Sequence, residues 1–198
     1  MKTIKYFFFV ALATVLMAAD CSNKDAEFYN DVFATVPNLI AIETQTSYAV
    51  NDVLWINSNN FSRYIQELNL VNSLDAYKTT GGAQSFNFSY LIEKYVSADN
   101  WVLVSFGSNL INNKGKSIET GEFINATCVY NQTTENYDFR TGLKLTQAGN
   151  YRISFGYNST STTSVELRSD SVNNNLFLNI DSPITGIDSS GFYNFTVN

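Results

Sequence analysis

The sequence predicts an all-β fold: a single antiparallel β-sandwich of about ten short strands behind an N-terminal signal peptide. Apolar residues recur at every second position through the C-terminal half, which is the period of a strand with one buried face. Turn-forming clusters rich in Asn, Ser, Asp and Gly separate these runs. Helical spacing of apolar residues is confined to one short segment, so strands dominate the prediction.

Residues 1–20 have the order of an export signal. Lys2 and Lys5 precede an uninterrupted apolar run of 14 residues, Tyr6–Ala19. A helix that crosses a bilayer needs roughly 20 apolar residues, so this run is too short to be a membrane span. A cationic start followed by a short apolar run is typical of a cleaved signal peptide.

The segment Leu16–Cys21 resembles the lipobox of bacterial lipoproteins. In that family the cysteine becomes the first mature residue and receives palmitate and related acyl chains. The resemblance implies lipidation at Cys21 and attachment to the outer membrane, because two or three acyl chains hold a protein at a bilayer. Asp20 stands where Gly, Ala or Ser is usual, and the alternative is a plain secreted protein cleaved near Ala19.

The mature chain divides into a polar tether, residues 21–32, and one β-sandwich domain, residues 33–198, since no linker interrupts the latter. In the tether, Lys24 is followed by the acidic residues Asp25 and Glu27, and this segment resembles the export tag of surface lipoproteins in Bacteroidetes. The alternative is a flexible spacer. The segment Tyr48–Trp55 resembles an opening strand of the same group. Together these segments resemble flavobacterial-type envelope lipoproteins, and imply a place in the cell envelope at the outer membrane.

Strand-like patterns follow one another along the predicted domain. In chain order they are Val53–Ile56, Phe86–Ile92, Trp101–Phe106, Glu122–Tyr130, Tyr137–Leu145, Tyr151–Tyr157, Leu176–Ile180 and Tyr193–Val197. Asn112–Gly115 is one of the predicted turns. Phe61–Val71 is either a helix or an irregular crossover between sheets. Cys128 falls on the apolar side of its strand and is predicted to be a buried core residue.

A glycine two positions before a tyrosine, Gly149 and Tyr151, leads into the strand that begins at Tyr151. This arrangement resembles the tyrosine corner of immunoglobulin-like sandwiches. The resemblance implies that the Tyr151 hydroxyl bonds to upstream backbone and that Gly149 lets the chain bend beside the ring. The alternative is an ordinary hairpin with one buried tyrosine.

Composition excludes several kinds of function. The chain has no histidine, which removes Ser-His-Asp and Cys-His catalysis and most catalytic zinc sites. Its net charge is −6 and no basic stripe follows the leader, so nucleic acid is not an expected partner. Asp181 and Asp188 lack the spaced Asp series of a calcium loop, and no metal or cofactor is predicted.

The remaining catalytic chemistry is a pair of carboxylates, as in glycoside hydrolases. Four dispersed acids are candidates for such a pair: Glu93, Glu119, Glu122 and Asp138. Solvated surface acids are the more ordinary interpretation. No catalytic residue is therefore predicted, and a carboxylate hydrolase remains only an alternative.

Aromatic side chains suggest a second alternative, an accessory glycan-binding lipoprotein, because sugars stack on aromatic rings. Trp55 and Trp101 each lie in an apolar run and are predicted to be core. Better candidates for a binding platform lie in predicted loops: Phe61, Tyr64, Tyr77 and Tyr137.

Asp170-Ser171-Val172 resembles the O-glycosylation sequon of Bacteroidetes envelope proteins, which makes Ser171 a candidate acceptor. The leading expectation is a lipid-anchored envelope protein with a non-enzymatic binding or structural role. Its partner, a glycan or an envelope protein, is not specified by the sequence.

Overall fold

A computed structural model describes residues 30–156, 159, 161–172 and 176–198. Its strands are β1 (Asn30–Thr35), β2 (Ile40–Glu43), β3 (Val53–Ser58), β4 (Tyr64–Ile65), β5 (Leu74–Asp75), β6 (Ser85–Ser97), β7 (Asn100–Leu103), β8 (Leu110–Lys114), β9 (Lys116–Thr120), β10 (Phe123–Asn131), β11 (Asn136–Asp138), β12 (Arg140–Lys144), β13 (Gly149–Ser154), β14 (Ser164–Ser169), β15 (Leu176–Pro183) and β16 (Tyr193–Val197). One short helix, α1 (Ala76–Thr79), and a 3₁₀ turn at Gly107–Asn109 complete the described elements.

Two main sheets carry the fold, which is all-β and sandwich-like as the sequence predicts. The larger sheet has the order β1-β15-β14-β6-β10-β11, with β7, β9, β13 and β16 joined to its sides. The smaller sheet has the order β2-β3-β12-β8. Strand β6 is 13 residues long. Its first half pairs with β10 and β14, whereas its second half pairs with β7 and β13.

Both sheets contribute to one hydrophobic core. The smaller sheet supplies Ile40, Leu54, Ile56 and Leu143, and the larger sheet supplies Phe86, Phe88, Tyr90, Ala126, Leu167, Leu178 and Ile180. Along β3 and β10 the buried residues alternate with exposed or half-buried neighbours, as a sheet with one buried face requires, whereas in β6 and β15 the polar neighbours Ser89 and Asn179 are buried as well. Burying one Leu, Ile or Phe side chain contributes roughly 1.5–3 kcal/mol. The core is therefore the main source of stability.

Cys128 lies in the middle of this core, opposite Phe86 in the β6–β10 ladder. It is fully buried and has a free thiol, which confirms the prediction of a core residue. Burial raises the pKa of the thiol, with a smaller contribution from the charge of Asp138. The thiol is therefore neutral and acts as a small apolar group.

The segment 61–71 forms no helix and is the irregular crossover that the sequence left open. Its backbone N–H groups bond to distant carbonyls: Arg63 donates to Glu135, and Leu68 donates to Thr35. Phe61 and Ile65 are buried, but Val71 is 95% exposed. The β10–β11 turn and strand β1 thus supply hydrogen bonds that a helix would have made internally.

The predicted turn at Asn112–Gly115 is shorter than expected, because β8 continues to Lys114 and β9 begins at Lys116. Strand β8 pairs with β12 in the smaller sheet, and β9 pairs with β10 in the larger one. The chain therefore passes from one sheet to the other at Gly115. The Asn112 side chain bridges the two strands by accepting from Ser117 N at 2.7 Å and donating to Ser117 O at 3.1 Å.

Strand β1 begins at Asn30, so residues 30–32, which were expected to belong to the tether, are in a strand. Among the described residues, none of the helical segments has the length and apolar character that a membrane-crossing helix requires.

Candidate functional site

Strands β7, β6, β13 and β16 lie side by side and present a face to solvent. Tyr151 and Ile153 of β13 point into the core, as do Phe195 and Val197 of β16. Because side chains alternate along a strand, the intervening residues point outward. We call this surface the aromatic face; it comprises Glu93, Tyr95, Trp101, Asn150, Arg152, Asn194 and Thr196, with Phe192 at its edge.

A cleft of about 380 Å³ lies on the aromatic face. Trp101 and Tyr95 are cross-strand partners, and their ring centroids are 5.3 Å apart in an edge-to-face arrangement. Asn150, Asn194 and Thr196 line the rest of the cleft with amide and hydroxyl groups. The cleft thus combines two aromatic rings, one of them 40% exposed, with groups that donate and accept hydrogen bonds.

Arg152 holds the aromatic side chains in place. Its guanidinium lies 4.3 Å from the ring centroid of Trp101 and 4.0 Å from that of Phe192. Its Nε donates to Glu93 Oε2 at 2.6 Å, which fixes the guanidinium on the sheet. Stacking of this kind contributes about 0.5–1 kcal/mol at exposed sites. The rings are therefore ordered before any ligand arrives.

Asp188 positions Phe192 from the turn before β16. Its carboxylate accepts hydrogen bonds from Phe192 N at 3.0 Å and from Ser190 N at 2.8 Å. It also accepts from Asn194 Nδ2 at 2.6 Å. The bond from Phe192, followed by the other donors, lowers the pKa of Asp188 against a smaller opposing effect of desolvation. The residue therefore organises the turn as a carboxylate.

Tyr151 makes the hydrogen bond that a tyrosine corner requires. Its hydroxyl donates to the carbonyl oxygen of Gln147 at 2.8 Å. Gly149 has a φ of +142°, a backbone conformation that residues other than glycine rarely adopt. A Cβ at this position would lie 2.8 Å from Lys94 Cε, so the glycine also makes room for that lysine.

The prediction that both tryptophans are core residues is wrong, because neither belongs to the buried cluster. Leu54 and Ile56 take the inward positions of β3, and this places Trp55 on the outside of the smaller sheet. Arg140 covers that ring, with its guanidinium 3.8 Å from the ring centroid. Both tryptophans are thus half-buried on the outside of a sheet and stacked with arginine.

The predicted platform of loop aromatics does not exist as such. Phe61 and Tyr137 are among the most buried side chains, and their rings pack at 4.9 Å. The Tyr137 hydroxyl donates to Ala83 O at 3.1 Å inside the core. Tyr64 is 52% exposed, and Tyr77 is half-buried against Tyr130. Tyr95 and Trp101 instead share a cleft; Tyr95 was not singled out from the sequence, and Trp101 was assigned to the core.

Each of the predicted acids Glu93, Glu119 and Asp138 has its own polar partners. Glu93 binds Arg152, and Asp138 lies 3.6 Å from Lys114. Desolvation would raise the pKa of Glu119, but hydrogen bonds from Phe106 N, Gly107 N and Ser105 outweigh it and lower the pKa. Glu122 lines a shallow cavity of about 100 Å³ with Glu119. The pKa of Glu119 is thus shifted in the direction opposite to that which an acid catalyst needs.

The sequence did not single out Glu166, which is the cross-strand partner of Asp181. Both acids line a cavity of about 300 Å³. Burial raises the pKa of Glu166; Arg168 opposes this effect, and the charges of Asp181 and Asp31 add to it. Asp181 accepts hydrogen bonds from Ser159 and Ser164. Glu166 and Asp181 are brought together by the register of β14 and β15, which is not evident from the sequence.

Ser171 is exposed after β14, where an acceptor for O-glycosylation would be accessible. The preceding Asp170 is bound to β6, because it accepts hydrogen bonds from Ser85 Oγ and, at 3.0 Å, from Asn87 Nδ2. The loop is therefore tied down one residue before the candidate acceptor. The predicted lipidation site Cys21 and the signal peptide lie outside the described residues.

Within the described ranges, no group of three His, Cys, Asp or Glu residues is arranged to hold a metal ion. No protein-family model, curated protein or solved structure matches the chain. The aromatic face must therefore be interpreted from its own geometry.

Proposed function

We propose that this chain is a lipid-anchored, non-enzymatic protein of the bacterial cell envelope that binds a glycan through its aromatic face. The cleft shared by Tyr95 and Trp101 carries the proposal. An aromatic ring offers a flat apolar surface to the C–H face of a sugar, and neighbouring amides and hydroxyls bind sugar hydroxyls. The cleft volume of about 380 Å³ is within the range of small-molecule sites.

The arrangement of charge also favours a neutral ligand. Arg152 and Glu93 neutralise each other on the face, with 2.6 Å between Arg152 Nε and Glu93 Oε2. Thr196 Oγ1 donates to Asn150 Oδ1 at 2.8 Å and Asn194 Nδ2 donates to Asp188 Oδ2 at 2.6 Å, so these uncharged groups are oriented in the cleft and offer a ligand their remaining donors and acceptors beside the rings. Uncharged polar groups beside aromatic rings suit a neutral oligosaccharide better than an ionic ligand.

Tryptophan fluorescence tests the glycan proposal directly, because the chain has only two tryptophans. In full-length protein carrying Cys21→Ser and Trp55→Phe, Trp101 is the sole reporter. We expect one class among a panel of soluble neutral oligosaccharides to give a saturable change in Trp101 emission. By calorimetry, Trp101→Ala should weaken that binding roughly tenfold, since ring stacking contributes up to about 1.5 kcal/mol.

The matched control is Trp55→Phe, which changes the other arginine-stacked tryptophan on the opposite sheet. It should leave the calorimetric affinity unchanged. Equal losses in Trp101→Ala and Trp55→Phe, or no binding across the panel, would contradict glycan recognition by this face.

Anchoring is a separate part of the proposal and rests on the lipobox-like segment Leu16–Cys21. Cells expressing the full chain and fed an alkynyl fatty acid should incorporate the label into the protein. Cys21→Ser should abolish incorporation, whereas Cys128→Ser should leave it intact, because Cys128 is buried. Label that persists in Cys21→Ser would refute the assignment.

A second candidate, a carboxylate hydrolase, depends on Glu166 and Asp181 instead of the acids expected from the sequence. A carboxyl group with a raised pKa beside a second carboxyl group is the arrangement that glycosidases use, and the pKa of Glu166 is raised. Turnover of aryl glycosides that is lost in Glu166→Gln and retained in Glu93→Gln would favour this candidate. Absence of turnover across such substrates would remove it.

A further inference from the structure

A cavity of about 560 Å³ lies between the two main sheets and shares Tyr95 and Tyr151 with the lining of the cleft on the aromatic face. One wall is the β6–β7 hairpin, and the other is the end of β12 with the residues that follow it, 144–147. Tyr151 of β13 also lines the cavity. We call this space the lysine cavity. Its volume is within the range of small-molecule sites.

Most of the lining of the lysine cavity is apolar. Val102 and Leu103 on the hairpin are 48% and 40% exposed, and Val96 at its tip is 60% exposed. Leu145 and Phe106, which are buried, provide the deeper part of the lining. Covering such exposed apolar surface with another apolar group is favourable, because it removes that surface from water.

The charged residues that line the cavity are Lys94 and Lys144, and no acidic residue lines it. Lys94 Nζ donates to Gln147 Oε1 at 2.9 Å and lies 5.6 Å from the ring centroid of Tyr151. Both of these partners are neutral. Neither lysine forms an ion pair with any described residue. Both side chains are nevertheless half-buried.

Four described lysines lack an ion pair, but Lys78 and Lys116 are exposed to water, whereas Lys94 and Lys144 are half-buried. Every arginine of the described residues forms an ion pair, namely Arg63, Arg140, Arg152 and Arg168. The chain as a whole is acidic, with a net charge of −6. An ammonium group that is partly removed from water loses hydration, and a neighbouring anion compensates for that loss. The lysine cavity therefore concentrates uncompensated positive charge beside apolar surface.

We propose that the lysine cavity binds a monomeric amphipathic carboxylate, such as a medium-chain fatty acid. The apolar chain of the ligand covers Val102, Leu103 and Leu145, and its carboxylate binds the ammonium groups of Lys94 and Lys144. Charge complementarity selects an anion over a cation or a neutral analogue. The recessed space between two sheets suits a single molecule from solution better than a flat bilayer.

Gly149 is part of the same arrangement. Because a Cβ there would lie 2.8 Å from Lys94 Cε, the glycine of the tyrosine corner lets the lysine side chain lie across the turn. The hydrogen bond to Gln147 then holds the ammonium at the cavity. The corner thus positions the cation that the ligand would meet.

Calorimetry with decanoate below its micelle concentration tests the proposal. The protein is the full chain with Cys21→Ser, so that no attached acyl chain competes for the cavity. We expect saturable 1:1 binding of decanoate, weaker binding of decanol and none of decyltrimethylammonium. Lys94→Gln and Lys144→Gln should each weaken decanoate binding roughly 10- to 100-fold, the effect of losing a charged hydrogen bond.

Two variants separate this site from nonspecific effects. Lys116→Gln removes an exposed lysine of β9 that does not line the cavity, and it should leave the affinity unchanged. Val102→Asp places a negative charge on the exposed part of the wall and should abolish binding while the protein stays folded by circular dichroism. Equal weakening by Lys116→Gln and Lys94→Gln would overturn the proposal.

Vesicles of phosphatidylglycerol distinguish a bilayer surface from a free amphiphile. We expect the Cys21→Ser protein not to sediment with such vesicles. Sedimentation that depends on Lys94, together with no binding of decanoate, would overturn the proposal in favour of a membrane contact. Trp101 lines the cleft of the aromatic face but not the lysine cavity, and Lys94 and Lys144 line the lysine cavity but not the cleft, so variants of these residues test the two proposals separately.

Discussion

The Tyr151 hydroxyl joins the strand β13 to the turn before it through one hydrogen bond of 2.8 Å to Gln147 O. Tyr151→Phe keeps the buried ring, which stacks on Phe195, and removes only this bond. We expect the free energy of unfolding to fall by about 1 kcal/mol, the usual net value of one such bond. Urea denaturation measures it, with Tyr95→Phe, an exposed tyrosine, as the control. Equal effects of both changes would contradict a structural role for the hydroxyl.

Glu166 is a residue whose charge opposes folding. Burial raises the pKa of Glu166, Arg168 counteracts this, and the negative charges of Asp181 and Asp31 raise it further. A carboxyl group with a raised pKa in the folded state favours folding when protonated, and this contribution is lost as the pH rises through the folded-state pKa. Glu166→Gln should therefore raise the melting temperature at pH 7.

The effect of Glu166→Gln should shrink as the pH is lowered toward about 4, where the wild-type carboxyl is itself protonated. Thermal denaturation at several pH values measures this. Glu122→Gln, at an exposed position, is the control and should change little. Destabilisation by Glu166→Gln at pH 7 would show that the carboxylate has a favourable partner there.

At the scale of the element, the turn between β8 and β9 depends on one glycine. Gly115 has a φ of +63°, and a Cβ there would lie 2.4 Å from Thr127 O and 2.9 Å from Asp138 O. Gly121 has nearly the same φ, +62°, but nothing lies within 4 Å of its Cβ position. The two glycines therefore separate backbone strain from steric clash.

Gly121→Ala should lower the free energy of unfolding by about 1 kcal/mol, because alanine disfavours positive φ. Gly115→Ala should lower it by roughly 2–4 kcal/mol, because two carbonyl groups must also move. Guanidinium denaturation compares the two variants. Equal losses would mean that the β8–β9 turn relaxes without cost.

Strands with a clear alternation could be predicted from the sequence, as β10 and β16 show: Phe123–Asn131 and Tyr193–Val197 nearly match the expected segments. Alternation reports which face is buried, and that signal is local. The run Val53–Ile56 is apolar at every position, so it does not indicate which side chains point inward. Leu54 and Ile56 take the inward positions, and Trp55 points outward to where Arg140, distant in sequence, covers its ring.

Strands β8 and β9 illustrate the other reason for a missed element. They read LINNK and KSIET, which are too polar and too short to stand out. Their hydrogen bonds come from β12 and β10. Asn and Gly favour turns locally, but pairing with a distant strand overrides that preference.

At the scale of the whole molecule, the aromatic face is assembled from four strands whose order is not evident from the sequence. Tyr95 and Trp101 come from one hairpin, whereas Arg152 and Asn194 come from β13 and β16. These residues lie next to one another because the second half of β6 pairs with β13. The abundance of aromatic and amide residues is evident from the sequence, but their grouping on one face required the sheet topology.

Acid-base behaviour is a property of the whole chain. Arg140 donates two hydrogen bonds to Glu43, at 2.7 and 2.9 Å, and these bonds lower the pKa of Glu43 although desolvation opposes them. Arg63 does the same for Asp75, which also accepts from Lys78 N. A carboxyl with a lowered pKa stabilises the fold above its ordinary pKa, and this stabilisation is lost as the pH falls through the folded-state value.

Four described carboxyls near ion-pair or backbone donors, Glu43, Asp75, Glu119 and Asp188, have lowered pKa values, whereas that of Glu166 is raised. The carboxyls with lowered pKa values outweigh Glu166, whose pKa is raised. The free energy of unfolding should therefore decline below about pH 4. Urea denaturation from pH 7 to pH 3 measures the slope. Arg140→Gln should remove the contribution of Glu43 and so flatten the dependence of the free energy of unfolding on pH. Lys116→Gln is the control and should leave this dependence unchanged, because Lys116 is exposed on β9 and forms no ion pair with the described residues. An increase in stability on acidification would mean that Glu166 and its acidic neighbours, and not the paired carboxylates, control the pH dependence of the fold.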